Sequence, residues 1–350
     1  MLSHASWVGS EVKFLVTGGC GFIGSHLIEE LLRQNHQVVV LDDLSTGFKE
    51  YLPSNNNLTL VKIDISNWYD LSKCLYYFHG VDCVFHLAAI ARIQPSIEDP
   101  SRTHEVNVTG IFNILEAMRL IGVKSIVYSS SSSIYGLKNK SPLVETMPSD
   151  CLNPYSMSKR IGELYCETWG KLYGIKSVAL RYFNVYGKRE VLGGPYAPVV
   201  GLFFKQTLKE KSKMTIIGDG EQRRDFTHVS DVVSANILAM ENIEKANGAI
   251  LNIGTGKNYS VNEVAAMVEY AIKQKIGANA IFPYQYKDIG VTFVPARPGE
   301  SRETLANIEL AKTLIGYEPT VEFHKALSQQ RDYYMGLYSP FGNTYDWLQR

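Results

Sequence analysis

The stretch that most constrains this chain is KFLVTGGCGFIGSHLIEELLR, residues 13–33. A short apolar run reads as a buried strand, and Ile23, Leu27 and Leu31 then recur at helical spacing. Between the two, Gly18, Gly21 and Gly24 form GxxGxxG, with Phe22 and Ile23 opening the helix. Glycines there permit a tight turn. They also let backbone N–H groups approach a pyrophosphate at the helix N-terminus. Such a loop alone is a weak signal, and a plain tight turn is the alternative. The flanking strand and amphipathic helix raise its weight as a dinucleotide site.

The rest of the first half keeps the same rhythm. "QVVVLD", "LTLVKID", "DCVFHLA", "KSIVYSS" and "KSVALRY" read as strands. Helical patterns "EVNVTGIFNILEAMRLIG" and "SMSKRIGELYCETWGKLYG" lie between the later ones. This alternation predicts an α/β fold, a Rossmann-type doubly wound parallel sheet. It covers 12–184 as the NAD-binding domain. After about Asn184 the pattern loosens, which predicts a smaller mixed α/β substrate lobe over 185–338, with some segments crossing between lobes. Residues 339–350 read as a tail.

Of the 350 residues, 45% are hydrophobic and 20% charged, and Lys+Arg and Asp+Glu both number 35. The zero net charge gives no field favouring nucleic acid or an anionic membrane. No apolar run approaches the roughly 20 residues of a membrane span. The start, "MLSHASWVGSEVK", lacks the pattern of a signal peptide. Five scattered cysteines without CxxC predict reduced thiols in a cytoplasmic protein. Eight histidines without ligand spacing predict no metal site.

The second strand ends at Asp42, about 20 residues after the Gly-rich loop, where a ribose-binding acid is expected. Its carboxylate, with Asp43 beside it, would repel a 2′-phosphate, and no Arg follows immediately. The expected cofactor is therefore NAD rather than NADP. Asp64 and Ile65 end the third strand, and Asp64 is placed to hold the adenine amino group. Leu87, Ala88 and Ala89 end the fourth and are small or apolar enough to pass under a cofactor.

Tyr155 and Lys159 form YxxxK and share one helix face. A neighbouring ammonium favours the phenolate of a Tyr whose ordinary pKa is near 10, which would make Tyr155 a proton acceptor. The run "YSSSSSIYG", Tyr128 to Gly136, follows a buried strand. A flexible Ser-rich linker is the alternative. Its position at a strand's C-terminal end, just before the YxxxK helix, favours a hydroxyl that meets substrate.

These motifs, together with "LDDLSTG", "HLAA", "NVTG", "RYFNVYG", "RRDFTHVSDVV", "NIGTG" and "RPGESRETLANI", resemble the nucleotide-sugar 4-epimerase group of the extended short-chain dehydrogenase/reductases. The likeness runs from about Lys13 to Tyr338. It implies Ser131 as the catalytic serine, helped by Ser132 and Ser133. It also implies Asn107 on the cofactor side and Phe183 against the nicotinamide. Asn184 and Val199 would contact the nucleotide sugar, Arg224 and Arg297 its diphosphate, and Glu300 the uridine ribose. Glu300 is one methylene longer than the usual Asp. Thr304 matches the position walling the pocket beside the sugar C2 substituent. A Tyr there restricts some family members to plain hexoses, whereas a smaller residue leaves room for an N-acetyl group.

Dehydratases of the family carry Asp-Glu after the active-site hydroxyl residue, and decarboxylases carry Glu. Here Ser132 and Ser133 stand there, which argues for epimerisation. The implied activity is C4 inversion of a UDP-sugar through a transient 4-keto sugar, with retained NAD. The expected sugars are UDP-GlcNAc/UDP-GalNAc, with UDP-Glc/UDP-Gal also admitted. UDP-glucuronate, a net oxidoreductase and a non-catalytic NAD-binding regulator are the alternatives. A homodimer through helices at about 104–121 and 154–173 is a family-level expectation.

Overall fold

The computed structural model describes residues 12–192, 197–275, 290–296 and 301–338. Strands β1 (Lys13–Thr17), β2 (Gln37–Asp42), β3 (Leu58–Lys62), β4 (Cys83–His86), β5 (Ser125–Ser131) and β6 (Lys176–Tyr182) lie in one sheet. A seventh strand, Ile250–Ile253, adds to its edge. The order is Ile250–Ile253, β6, β5, β4, β1, β2, β3, and every pairing is parallel. The order reverses beside β1, which opens a crevice above the strand ends where a ligand binds in such sheets.

Alternation along β1 builds two cores. Phe14 and Val16 face a cluster containing Leu27, Ile28 and Leu31 of the Phe22–Arg33 helix. Leu15 faces the opposite cluster, with Ile111, Ile114 and Met118 of the Gly110–Ile121 helix. Burial on both faces is why these strands read as continuous apolar runs. The expected helix over 105–122 is regular only from Gly110, because Glu105–Thr109 forms a π turn.

The second lobe gathers around Phe203, Phe204, Val264, Val268, Phe323 and Leu327. Its β pairs are short: Asn184–Tyr186 with Phe226–His228, Arg223–Arg224 with Tyr259–Ser260, and Met214–Ile217 with Val291–Val294. The division at 184/185 is not a clean cut. Ile250–Ile253 pairs with β6, and Val232, Val233 and Ala235 of the Val229–Glu241 helix pack into the first lobe's core. No described helix is long and apolar enough to cross a membrane.

Candidate active site

The crevice begins at the loop after β1. Gly18 has φ +68°, and a Cβ there would come within 2.7 Å of the Ala88 backbone. Only glycine adopts that turn while β4's following loop passes so close. The Phe22–Arg33 helix starts at Gly21 with no side-chain cap and no acidic residue in its first turn. Its leading N–H groups are therefore left for an anion, and they open into the crevice. This uncapped terminus beside glycines fits a dinucleotide pyrophosphate.

The cofactor residues expected from β1 to β4 converge on this crevice. Gly18, Gly21, Phe22, Ile23 and Gly24 form its floor. Asp42, Asp43, Asp64 and Ile65 line the β2–β3 end, and Leu87, Ala88 and Ala89 the wall beyond β4. Asp42 is buried and accepts Cys20 N at 2.9 Å and Leu44 N at 2.8 Å. A carboxylate has about four lone-pair sites, so capacity remains for ribose hydroxyls. Burial pushes Asp42 above the usual carboxylate range, and these two N–H donors pull it back.

One residue at this end was invisible to local sequence reasoning. Arg102 donates to Asp64 at 2.8 Å and approaches Asp43 at 3.4 Å. It comes from a different segment, the Pro100–His104 helix. Its guanidinium is engaged by these two carboxylates and by Glu105 at 3.4 Å, and not by Asp42.

The helix Pro154–Tyr173 supplies the reactive face. Asn153 caps it, accepting Ser156 N at 2.9 Å, and the Ser156 hydroxyl lies 3.3 Å from Asn153 N. Pro154 occupies the first turn. "NPYS" is thus a start signal that fixes Tyr155 and Lys159 in phase. Gly162, one turn on, lets the helix sit directly against β5, because a Cβ there would overlap the Tyr128 hydroxyl. The close seat lets Lys159 donate to the Ser129 carbonyl at 2.8 Å.

Tyr155 and Lys159 both line the crevice, with Ser129 and Ser130 beside them. Ser131, expected as the catalytic serine, is buried and does not itself line the crevice. Its hydroxyl accepts Ser133 N at 3.2 Å and acts to lower the pKa of the Tyr155 phenol. Ser132 and Ser133 turn away in a short 3-10 helix, and the Ser133 hydroxyl is buried without a partner.

The expected depression of the Tyr155 phenol is not produced by Lys159. Burial pushes Tyr155 above its ordinary value, and the Ser131 hydrogen bond pulls it down. The Lys159 ammonium lies 6.0 Å from the Tyr155 ring centroid and is turned to Ser129. Burial lowers Lys159 to about 8, opposed by the nearby Glu163 carboxylate.

Two residues assigned to the cofactor do not form its wall. Phe183 is buried among Tyr135, Leu143 and Ala306. Its neighbour Tyr182 lines the crevice instead, since successive strand side chains face opposite ways. Asn107 is also buried. It accepts Ile90 N at 2.8 Å and donates to Ile90 O and Ser158 Oγ, so it holds the wall from behind.

Of the residues expected at the substrate, Asn184, Arg224 and Thr304 gather elsewhere, along Arg223–Asp225. Asn184 N and Nδ2 both donate to Asp225 O, at 3.1 and 3.2 Å. Arg224 Nη1 and Thr304 N both donate to Arg223 O, at 2.9 and 3.0 Å. Thr304 Oγ1 is buried with no partner. Val199 opens the Val199–Phe204 helix next to Pro198, which does line the crevice. Arg297 and Glu300 lie outside the described residues. Asp225, unread in the sequence, pins this strip: its buried carboxylate accepts Thr255 N and Oγ1, Gly256 N and Ala306 N.

The family model for the NAD dependent epimerase/dehydratase family matches residues 14–254, from β1 through the seventh strand of the sheet. The chain belongs to that family. Membership carries NAD as the cofactor and the epimerase class of enzyme. A protein of Methanocaldococcus jannaschii named a putative UDP-glucose 4-epimerase is 38% identical over 316 residues, covering 90% of this chain and 96% of its own. A UDP-N-acetylglucosamine 4-epimerase structure from Methanobrevibacter ruminantium M1, in complex with UDP-N-acetylmuramic acid, superposes with a TM-score of 0.83. It is 32% identical and covers 94% of this chain and 99% of its own. The Thermus thermophilus UDP-glucose 4-epimerase in complex with NAD gives a TM-score of 0.80 at 32% identity, covering 93% and 99%. In this family member the glycine loop, the strand-end acids and the Tyr155/Lys159 pair share one crevice.

Proposed function

We propose that this protein inverts C4 of UDP-N-acetylglucosamine and UDP-N-acetylgalactosamine, and accepts the UDP-glucose/UDP-galactose pair as secondary substrates. The relatives support UDP-sugar 4-epimerisation. The N-acetyl preference rests on Thr304. Its side chain is short, and its buried hydroxyl has no partner in the protein. A buried hydroxyl requires a partner, and the amide of an N-acetyl group can supply one. A second reading, UDP-glucuronate, is favoured by Arg92, a cation on the crevice wall able to meet a C6 carboxylate.

The chain's own groups perform the proton chemistry. The Tyr155 oxygen, whose ionised phenolate form the positive nicotinamide ring of bound NAD would favour against its burial, would take the 4-hydroxyl proton and return it, with Ser131 steadying the exchange. Lys159, held at Ser129 O, keeps a positive charge beneath the site and anchors the nicotinamide ribose. Bound NAD supplies reversible acceptance of the C4 hydride. Ser132 and Ser133 provide no acid for elimination or decarboxylation.

We further propose a homodimer in the cytoplasm. The Gly110–Ile121 and Pro154–Tyr173 helices expose Phe112, Leu120, Leu164, Leu172 and Tyr173. That apolar area suits a second copy. The five cysteines are free thiols, as a reducing compartment maintains. The deciding experiment is a UDP-sugar panel without added cofactor, read by product separation. Interconversion of the N-acetyl pair supports the reading, and turnover confined to plain hexoses or uronates overturns it.

A further inference from the structure

Directly behind Ser131 and Lys159 lies a buried ion pair. Glu163 is 3% exposed and Arg181 2%. Arg181 Nε and Nη2 donate to the two Glu163 oxygens at 2.8 and 2.9 Å. The Ser130 hydroxyl donates to Glu163 Oε1 at 2.6 Å, and Arg160 Nη1 to Oε2 at 3.0 Å. On its far side the Arg181 guanidinium stacks 4.7 Å from the centroid of Tyr135, in the turn that follows Ser131–Ser133.

Such a pair is weak evidence for stability. Desolvating two charges offsets most of their attraction, and well-packed apolar replacements are often neutral or better. Its placement is more informative. Glu163 follows Lys159 by one helical turn, Ser130 sits between Ser129 and Ser131, and Arg181 is on β6. The three elements that must stay in register for the reaction therefore meet at one carboxylate.

We propose that Glu163 is a positioning residue for the reaction: it locks the Ser129–Ser131 strand end to the helix carrying Tyr155 and Lys159, and it sets the electrostatic surroundings of Lys159. This rests on Tyr155 and Lys159 being the working pair. The other titratable groups around the ammonium are neutral near pH 7. His86, from β4, is pushed down to about 3 by burial. Tyr128, from β5, and Tyr155 are both pushed up by burial. The thiols of Cys151 and Cys166, which face Glu163, are likewise raised by burial. Arg160 and Arg181 face Glu163 rather than Lys159. Lys159 loses its proton as pH rises through about 8, and Glu163 holds that loss off. Removing the carboxylate charge moves the loss to lower pH.

The test compares kcat against pH for wild type, Glu163→Gln, Glu163→Gln/Arg181→Met and Ser130→Ala, with thermal midpoint and NAD binding measured on each. Both charge variants are expected to move the basic limb to lower pH by about half a unit or more. Glu163→Gln is expected to lose about 10-fold in kcat at pH 7 from misplacement of the pair. Ser130→Ala is expected to lower kcat while leaving the basic limb in place. The double variant removes both members of the buried pair and leaves only the partly exposed Arg160 without its carboxylate, so it carries the test if Glu163→Gln does not fold. Basic limbs coinciding with wild type, with only the thermal midpoint changed, overturn the proposal. A wild type that turns over no UDP-sugar overturns the underlying reading instead.

Discussion

The ammonium of Lys159 donates to the carbonyl of Ser129 at 2.8 Å and lies 6.0 Å from the ring centroid of Tyr155. The lysine is thus tied to the strand end rather than to the phenol. Tyr155→Phe keeps the ring and removes the exchanging proton. It is expected to lower kcat by on the order of 10²-fold or more while NAD stays bound. Turnover, and the dinucleotide released on denaturing the same sample, check this, and near-normal turnover would refute it.

Asp42 is the residue proposed to select the cofactor. It is buried and already accepts two backbone donors, so its remaining lone pairs are directed by the fold. Asp42→Ala is expected to weaken NAD binding roughly 10-fold or more, the worth of a hydrogen bond to a charged group. It should also narrow the gap to NADP. Titration with both dinucleotides measures it, and equal wild-type affinity for the two would contradict the assignment.

Thr304→Tyr tests the sugar pocket. The larger side chain is expected to reduce kcat/KM for the N-acetyl pair and spare the plain hexoses, a change in the ratio of about 10-fold or more. An unchanged ratio would place Thr304 away from the sugar.

Gly162→Ala tests the seat of the reactive helix. An added methyl meets the Tyr128 hydroxyl, and Tyr128 is buried with no room to retreat. Overpacking of this kind costs about 1–3 kcal/mol. A lowered thermal midpoint with reduced kcat is expected, whereas unchanged values would mean that the helix can shift at no cost.

Glu190 gives a pH signature. Burial pushes its carboxyl up to about 8 from an ordinary 4.5, although Gln330 and Tyr334 donate to it. Between those values the folded state holds a proton that the unfolded chain has released. Stability therefore falls as pH rises from about 4.5 to about 8. Glu190→Gln is expected to flatten this part of the thermal-midpoint profile, and an unaltered slope would count against it.

The parts of the site legible in the sequence are those set by local spacing. The Gly18–Gly24 loop, Asp42 at a strand end, and Tyr155 with Lys159 on one helix face each follow from a period or an offset. The parts that were not legible are contacts between distant segments. Arg102 reaches Asp64, Arg181 reaches Glu163, and Asp225 gathers Thr255, Gly256 and Ala306. No local pattern marks such pairs, because their partners are chosen by the packing of whole elements. Phe183 shows the complementary failure. It was expected against the nicotinamide, but the pleat at the end of β6 turns Tyr182 to the crevice and Phe183 to a separate cluster.

The late strand Ile250–Ile253 has a consequence for how the molecule is made. While the ribosome has released only the first 184 or so residues, β6 has no neighbour on its outer side, and the row of amide and carbonyl groups along Lys176–Tyr182 is open to any extended chain. The covering strand emerges some seventy residues afterwards, with most of the second lobe's early segments translated in between. The nascent protein thus passes through a stage whose nucleotide-binding half has its reactive helix but one raw edge. Truncation after β6 leaves that edge permanently exposed to self-association, so the two lobes are a single unit of biosynthesis.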